Sequence, residues 1–228
     1  NNGMGMPVSY TGMTWSGFRP SDDSCNFGYL IPSNMFAVVA LRYITEIFNS
    51  FYAEETDFIS ECKTLIDEID NGIKVYGTYL HPKYGLIYAC ESDGMGNRML
   101  FDDANVPSLL SAPYIGYTTT DDEMYKSFIL SDDNPYFYRG KFGNGVGSPH
   151  TPDGYIWHIA LSMQGLTSED DEEIKHVIET LVSTDAGTGY MHEGFCADDP
   201  SKFTREWFAW SNSLFAELIE KAVEKKII

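Results

Sequence analysis

Along most of this 228-residue chain, apolar positions recur at steps of three and four, the period of helices that bury one face. The pattern predicts a helix over 34–52, capped by Asn34, with Met35, Val38, Val39, Ile44, Ile47 and Phe48 as its stripe. From Glu54 a second stripe follows through Phe58, Ile59, Cys62, Leu65, Ile66 and Ile69, and Asn71-Gly72 supplies a stop. A third helix starts at Ser168-Glu169-Asp170-Asp171, where acids suit the positive end, and runs through Ile174, Val177, Ile178, Leu181 and Val182. The last, from about Lys202, carries Phe203, Trp207, Leu214, Leu218 and Ile219, with Lys221, Lys225 and Lys226 at its negative end.

The segment 155–166 differs from these. Ile156, Trp157, Ile159, Ala160, Leu161 and Met163 make it apolar almost all round, so it reads as a buried inner helix. Short helices over 106–114 and 122–130 bring the total to about seven. Only 74–89 alternates well enough for a hairpin, and polar or Gly-rich loops occupy 85–101, 136–154 and 185–200. Amphipathic helices alternating with a fully buried one, with chemistry in the loops, predict an all-α fold. The expected architecture is an (α/α) toroid forming one domain over 1–228, with only part of the ring present.

Composition narrows the function. A net charge of -19 would repel the phosphates of nucleic acid and an anionic membrane surface, which leaves a neutral partner. No apolar run approaches the roughly 20 residues of a membrane span. The start at Asn1, close to the candidate chemistry, predicts that an N-terminal part belongs before this chain and would carry any localisation signal. Cys25, Cys62, Cys90 and Cys196 are widely spaced and read as free thiols. No cofactor or metal is expected: the five His lack ligand spacing, and Asp102, Asp103 and Asp199 are the weak alternative.

The chemistry sits at the two ends. Trp15-Ser16-Gly17-Phe18-Arg19-Pro20-Ser21-Asp22-Asp23 sets paired carboxylates beside aromatic and cationic residues. Tyr190-Met191-His192-Glu193-Gly194-Phe195 presents a lone Glu shortly before Trp207-Phe208-Ala209-Trp210-Ser211. Two carboxyl groups, one protonating a leaving oxygen and one activating water, are what glycoside hydrolysis needs. Aromatic faces bind the apolar side of a pyranose. The plain structural alternatives are helix-entry charge for Asp22 and Asp23, an exposed loop acid for Glu193, and a helix-entry turn for Gly147-Ser148-Pro149-His150.

Six runs together resemble glycoside hydrolase family 125. They are Gly12-Met13-Thr14-Trp15-Ser16-Gly17-Phe18-Arg19-Pro20-Ser21-Asp22-Asp23, Ile31-Pro32-Ser33-Asn34-Met35-Phe36, Asp102-Asp103-Ala104-Asn105-Val106-Pro107-Ser108-Leu109-Leu110, Tyr155-Ile156-Trp157-His158, Met191-His192-Glu193-Gly194-Phe195 and Trp207-Phe208-Ala209-Trp210-Ser211-Asn212. The resemblance implies an (α/α)6 barrel and a metal-independent, inverting exo-α-1,6-mannosidase acting on α-mannoside glycans. It makes Asp22 or Asp23 the general acid, with Asp22 favoured, and Glu193 the general base. Arg19, Asp103, Asn105 and His150 become candidate hydroxyl partners, and Trp157 or Trp210 a stacking face. Two alternatives stand beside it: an incomplete carbohydrate-binding fragment, which could form a homodimer to cover an open ring, and another toroidal glycosidase resembling a glucosidase.

Overall fold

The computed structural model describes residues 5–228. It contains five α-helices, α1 Ile31–Phe51, α2 Thr56–Tyr76, α3 His158–Thr167, α4 Asp171–Ser183 and α5 Ala209–Glu224. Ten short strands accompany them: β1 Tyr29–Leu30, β2 Thr78–His81, β3 Gly85–Tyr88, β4 Glu91–Ser92, β5 Arg98–Met99, β6 Phe137–Gly140, β7 Gly143–Val146, β8 Tyr155–Trp157, β9 Gly194–Cys196 and β10 Asp199–Thr204. The all-α expectation is therefore corrected to a mixed helical fold with small antiparallel sheets. Two of these sheets have three strands, ordered β1-β4-β5 and β10-β9-β8; the others are the hairpins β2-β3 and β6-β7.

Helix α1 begins three residues earlier than expected, with Pro32 in the first turn, where its missing N–H costs nothing. Asn34 is buried inside the helix rather than capping it. Its Oδ1 accepts from Thr14 N at 2.8 Å and from the Thr14 hydroxyl, and its Nδ2 donates to Thr14 O and Leu30 O. The side chain thus clamps the segment leading to Trp15 onto α1. Helix α2 runs through Asn71-Gly72 instead of stopping there. Gly72 faces the same segment, and a Cβ would lie 2.5 Å from Thr11 O, so this glycine serves close packing.

The inner helix is shorter than expected. Residues 155–157 form β8, and eight of the ten residues of α3 are buried. Ile159, Ala160 and Met163 join the larger core with α1, α2 and β3, while Leu161 joins a second core with Ile174, Val177 and Leu181 of α4 and Leu218 of α5. Buried between two cores, α3 has no polar face. Its C-terminal carbonyls are met from α5, where Lys221 Nζ donates to Leu166 O at 2.7 Å and Ser168 O at 2.6 Å. Helix α4 is capped by Asp170, which accepts from Glu172 N, and not by Ser168.

The expected helices over 106–114 and 122–130 are turns, with a single short 3-10 segment at Glu123–Tyr125. The outer faces of α1 and α2 remain open. Phe36, Tyr43, Ile47 and Phe51 on α1, and Phe58 and Leu65 on α2, are exposed, Phe51 at 77%. Among the described residues no helix is long and apolar enough to cross a membrane.

Candidate active site

The loop that carries the first carboxylates folds back on itself. Ser16 N donates to Gly28 O at 2.8 Å, Cys25 N to Gly17 O at 3.0 Å and Arg19 N to Asp23 O at 2.8 Å, while Phe18 and Ser24 form a bridge. Asp22 and Asp23 therefore occupy the tip of a tight turn, not the entry of a helix. Beneath the tip lies Arg19, buried, with three of its nitrogens engaged. Nη2 reaches Asp23 at 3.2 Å, Nη1 reaches Glu91 at 3.0 Å and Nε reaches Asp103 at 3.1 Å.

The buried acids of this hub are themselves satisfied. Glu91 Oε2 accepts from Asn26 N at 2.7 Å and Phe27 N at 2.8 Å. Asp103 accepts from the hydroxyls of Ser21 and Ser148. Burial works against charge on Arg19, yet Asp103 and Glu91 hold its pKa above the ordinary value. At the edge of the hub, the Cys25 thiol is pushed up to about 12 by burial and by Glu91, which keeps it protonated. It is one of four free cysteines, two buried and two half-buried.

Asp22 and Asp23 differ in their engagement. Both oxygens of Asp23 are taken, Oδ2 by Arg19 and Oδ1 by His150 Nδ1 at 3.0 Å. Asp22 is exposed, and neither carboxylate oxygen meets a protein donor among the described residues. Its backbone sits at φ 69°, a left-handed conformation that an L side chain adopts at some cost. The turn thus displays Asp22 outward while Asp23 ties it down.

The second carboxylate is built differently. Glu193 is only 5% exposed, so it is not a solvent-facing loop acid. Strand β9 follows it, pairing with β8 on one side and β10 on the other; Pro200 is accommodated because β10 is an edge. Glu193 N donates to Thr204 O at 3.1 Å, and Oε1 accepts from Arg205 Nε at 3.0 Å, which leaves Oε2 without a donor among the described residues. Arg205 lies over the Phe208 ring, 5.0 Å from its centroid.

His158 and His192 form the floor under Glu193. Both are fully buried. His158 Nδ1 accepts from His192 N at 2.8 Å, so its proton is on Nε2, facing Thr184 Oγ1 at 3.0 Å. Burial, then the neighbouring His192, brings the His158 pKa down to about 3, and the ring is neutral.

Between the two carboxylate regions run His150 and Trp157. Their rings meet edge to face at 6.1 Å, and Trp157 pairs in register with Gly194, the residue after Glu193. A Cβ at Gly194 would lie 3.0 Å from the Trp157 ring, so that wall is close-packed. Trp157, expected as a sugar-stacking face, is 1% exposed and donates its Nε1–H to Thr151. Trp210 is half-buried against the larger core beside Phe208. Trp15 and Trp207 are the exposed tryptophans.

The expected hydroxyl partners divide in the same way. Arg19 and Asp103 are buried within the hub, where Arg19 binds three acids and Asp103 accepts from Arg19, Ser21 and Ser148. His150 remains partly exposed. Asn105 is buried, and its Oδ1 has no partner among the described residues. Asp102, its neighbour, accepts from Leu109 N and Leu110 N and is pushed up to about 7, chiefly by burial. Asp199 lies on β10, paired with Lys202.

A family model described as metal-independent alpha-mannosidase, glycoside hydrolase family 125, matches residues 1–220. The chain belongs to this family. It is 41% identical over 229 residues to the meiotically up-regulated gene 157 protein of Schizosaccharomyces pombe, covering 98% of this chain and 45% of that protein. It also matches a metal-independent alpha mannosidase structure from Streptococcus pneumoniae, a non-productive substrate complex with alpha-1,6-mannobiose. That match has a TM-score of 0.95 and 52% identity, over 98% of this chain and 54% of the other. The chain therefore spans about half the length of these relatives.

Several residues of the site have no role in the sequence reading. Glu91 sits in an otherwise apolar stretch, Ile87-Tyr88-Ala89-Cys90, and an acid there was a signal of a buried ion pair. Ser21 and Ser148 gave no comparable sign, because their partner Asp103 lies far away in the chain.

Proposed function

We propose that this chain carries the catalytic carboxylates of an inverting exo-α-1,6-mannosidase, with Asp22 as general acid and Glu193 as general base. The observation that carries this reading is the contrast between the two groups. Among the described residues, Asp22 is displayed at a turn tip with both oxygens free, and Glu193 is buried with one oxygen fixed by Arg205 and the other free. His150, which meets Asp23, touches Trp157, which pairs with the residue after Glu193.

In this mechanism Asp22 protonates the glycosidic oxygen as the bond to the anomeric carbon lengthens. Glu193 Oε2 takes a proton from the water that attacks the opposite face. Inversion needs the carboxyls roughly 6.5–9.5 Å apart, leaving room for that water. Arg205, by holding Oε1, orients Oε2. His150 is the partly exposed hydroxyl partner, and Trp15 and Trp207 are the open aromatic faces. The α-1,6-mannoside preference is supported by family membership and by the relative solved with alpha-1,6-mannobiose. We further infer that α1 to α5 form part of an (α/α)6 barrel.

The test is hydrolysis of α-1,6-mannobiose by the purified chain, with the first anomer followed by proton NMR. Initial release of β-mannose is the expected result; initial α-mannose would overturn inversion. A second reading, an incomplete carbohydrate-binding fragment, draws on the exposed apolar faces of α1 and α2, which invite a packing partner. Sugar binding by a folded chain without turnover would favour it.

A further inference from the structure

The His192 ring has an unusual set of neighbours. Nδ1 faces Glu206 O at 2.8 Å and Arg205 O at 3.2 Å, and Nε2 faces Asp185 O at 3.1 Å. These are all backbone carbonyls, which can only accept. A neutral imidazole has one donor and one bare lone pair, so in that form one nitrogen would point its lone pair at a carbonyl oxygen. A proton on each nitrogen satisfies every contact. One ring face stacks on Phe203, with centroids 3.9 Å apart and planes within 8°, and the other lies against His158 at 5.5 Å.

The three carbonyls belong to two separate segments. Asp185 follows α4, whereas Arg205 and Glu206 follow β10. His192 joins them from the residue directly before Glu193. Arg205, at a left-handed φ of 53°, closes the circuit: its carbonyl accepts from His192 while its guanidinium binds Glu193. We infer that His192, with a proton on each ring nitrogen, is the positioning residue that holds the Glu193–Arg205 pair. This assignment rests on the reading of Glu193 as general base.

The ring does not touch substrate; it acts through the backbone of its neighbours. Removing one of its two donors removes one of its two ties and loosens the Glu193 segment. The titratable groups around it are His158 on α3, Asp185 after α4, Glu193 on its own segment, and Arg205 and Glu206 after β10. His158 is neutral and accepts from the His192 backbone, so it does not compete for the proton. Asp185 spends its carboxylate on Gly187 N and Gly189 N.

The first test is nitrogen-15 NMR of the histidine rings in the full chain at pH 7. His192 should show both nitrogens protonated and His158 one. A His192 ring with a bare nitrogen would overturn the inference. Amide exchange supplies a reading that needs no activity: the Glu193 N–H, bonded to Thr204 O, should exchange about tenfold faster in His192→Asn, which keeps one donor. Unchanged exchange there would also overturn it. Should that variant not fold, the wild-type ring spectrum alone decides the inference.

Kinetics then connect the tie to catalysis. On α-1,6-mannobiose, His192→Asn should lower kcat by about tenfold or more with KM within about twofold. An unchanged kcat would contradict the positioning role. A wild-type chain with a doubly protonated His192 and no turnover would instead count against the mannosidase reading alone.

Discussion

The two carboxylate neighbourhoods are held by different physics. Around Asp22, order comes from charge: one buried guanidinium gathers Asp23, Glu91 and Asp103, and the turn above them is tied down while Asp22 stays free. Around Glu193, order comes from packing. A three-stranded sheet, two stacked histidines and Phe203 pack around its segment, and among the described residues Arg205 is the one cation paired with the carboxylate. A proton donor to the glycosidic oxygen has to reach substrate, and the charged hub achieves that without burying it. A base that must aim one oxygen at a water benefits from the rigid wall.

Substitutions can break this contrast. The largest effect is expected for Glu193→Gln, which should lower mannobiose turnover by about 10³-fold or more with little change in melting temperature, because the amide fills the same space. Near-wild-type turnover would remove Glu193 from the mechanism. On the other side, Asp22→Asn should cost about 10²–10³-fold, and Asp23→Asn about tenfold through a loosened turn. The reverse order would make Asp23 the acid.

Arg19→Met probes the hub itself. It leaves Glu91 and Asp103 buried without their cation, so the expected cost is about 3–5 kcal/mol of stability. At about 2–4 °C per kcal/mol for a chain of this size, calorimetry should record a drop of roughly 6–20 °C. Arg205→Met, whose side chain is 57% exposed, should alter turnover far more than melting temperature. Equal stability losses from the two substitutions would erase the distinction between hub and wall.

The smallest effects are in pH dependence. His158 is depressed to about 3, so its contribution is complete above its ordinary value near 6.5 and is lost as pH falls toward 3. Asp102 is raised to about 7, so the native state holds a proton that the unfolded chain gives up near 4. Its contribution falls as pH rises from about 4 to about 7. Melting temperature against pH should therefore rise less steeply toward neutrality than His158 alone would give. Asp102→Asn should steepen it, and His158→Gln should flatten the acid side.

Much of this was legible in the chain. The stripes of α1, α2 and α4 come from local periodicity, and the hairpin β2-β3 falls inside the alternating segment 74–89. The buried character of α3 was visible because the segment is apolar almost all round. Strands β8 and β9 were not: three residues are too short to show alternation, and their pairing is tertiary. The segment 106–130 reads as helical by its apolar spacing. Yet Pro107, Pro113 and Gly116 break it, and Asp102 takes the Leu109 and Leu110 amides into a turn.

At the site, residue types pointed to the carboxylates, but type alone does not separate a residue that meets substrate from one that holds it. Arg19, Asp103 and Trp157 carry the chemistry of sugar recognition and are buried. Arg205 and His192 act through contacts that sequence spacing does not encode.

The division of labour between acid and base is tested most directly by a substrate whose leaving group needs no proton. α-Mannosyl fluoride should be hydrolysed by Asp22→Asn at close to the wild-type rate while α-1,6-mannobiose is not, and Glu193→Gln should fail on both. Equal losses on the two substrates in Asp22→Asn would contradict the assignment of Asp22 as the proton donor.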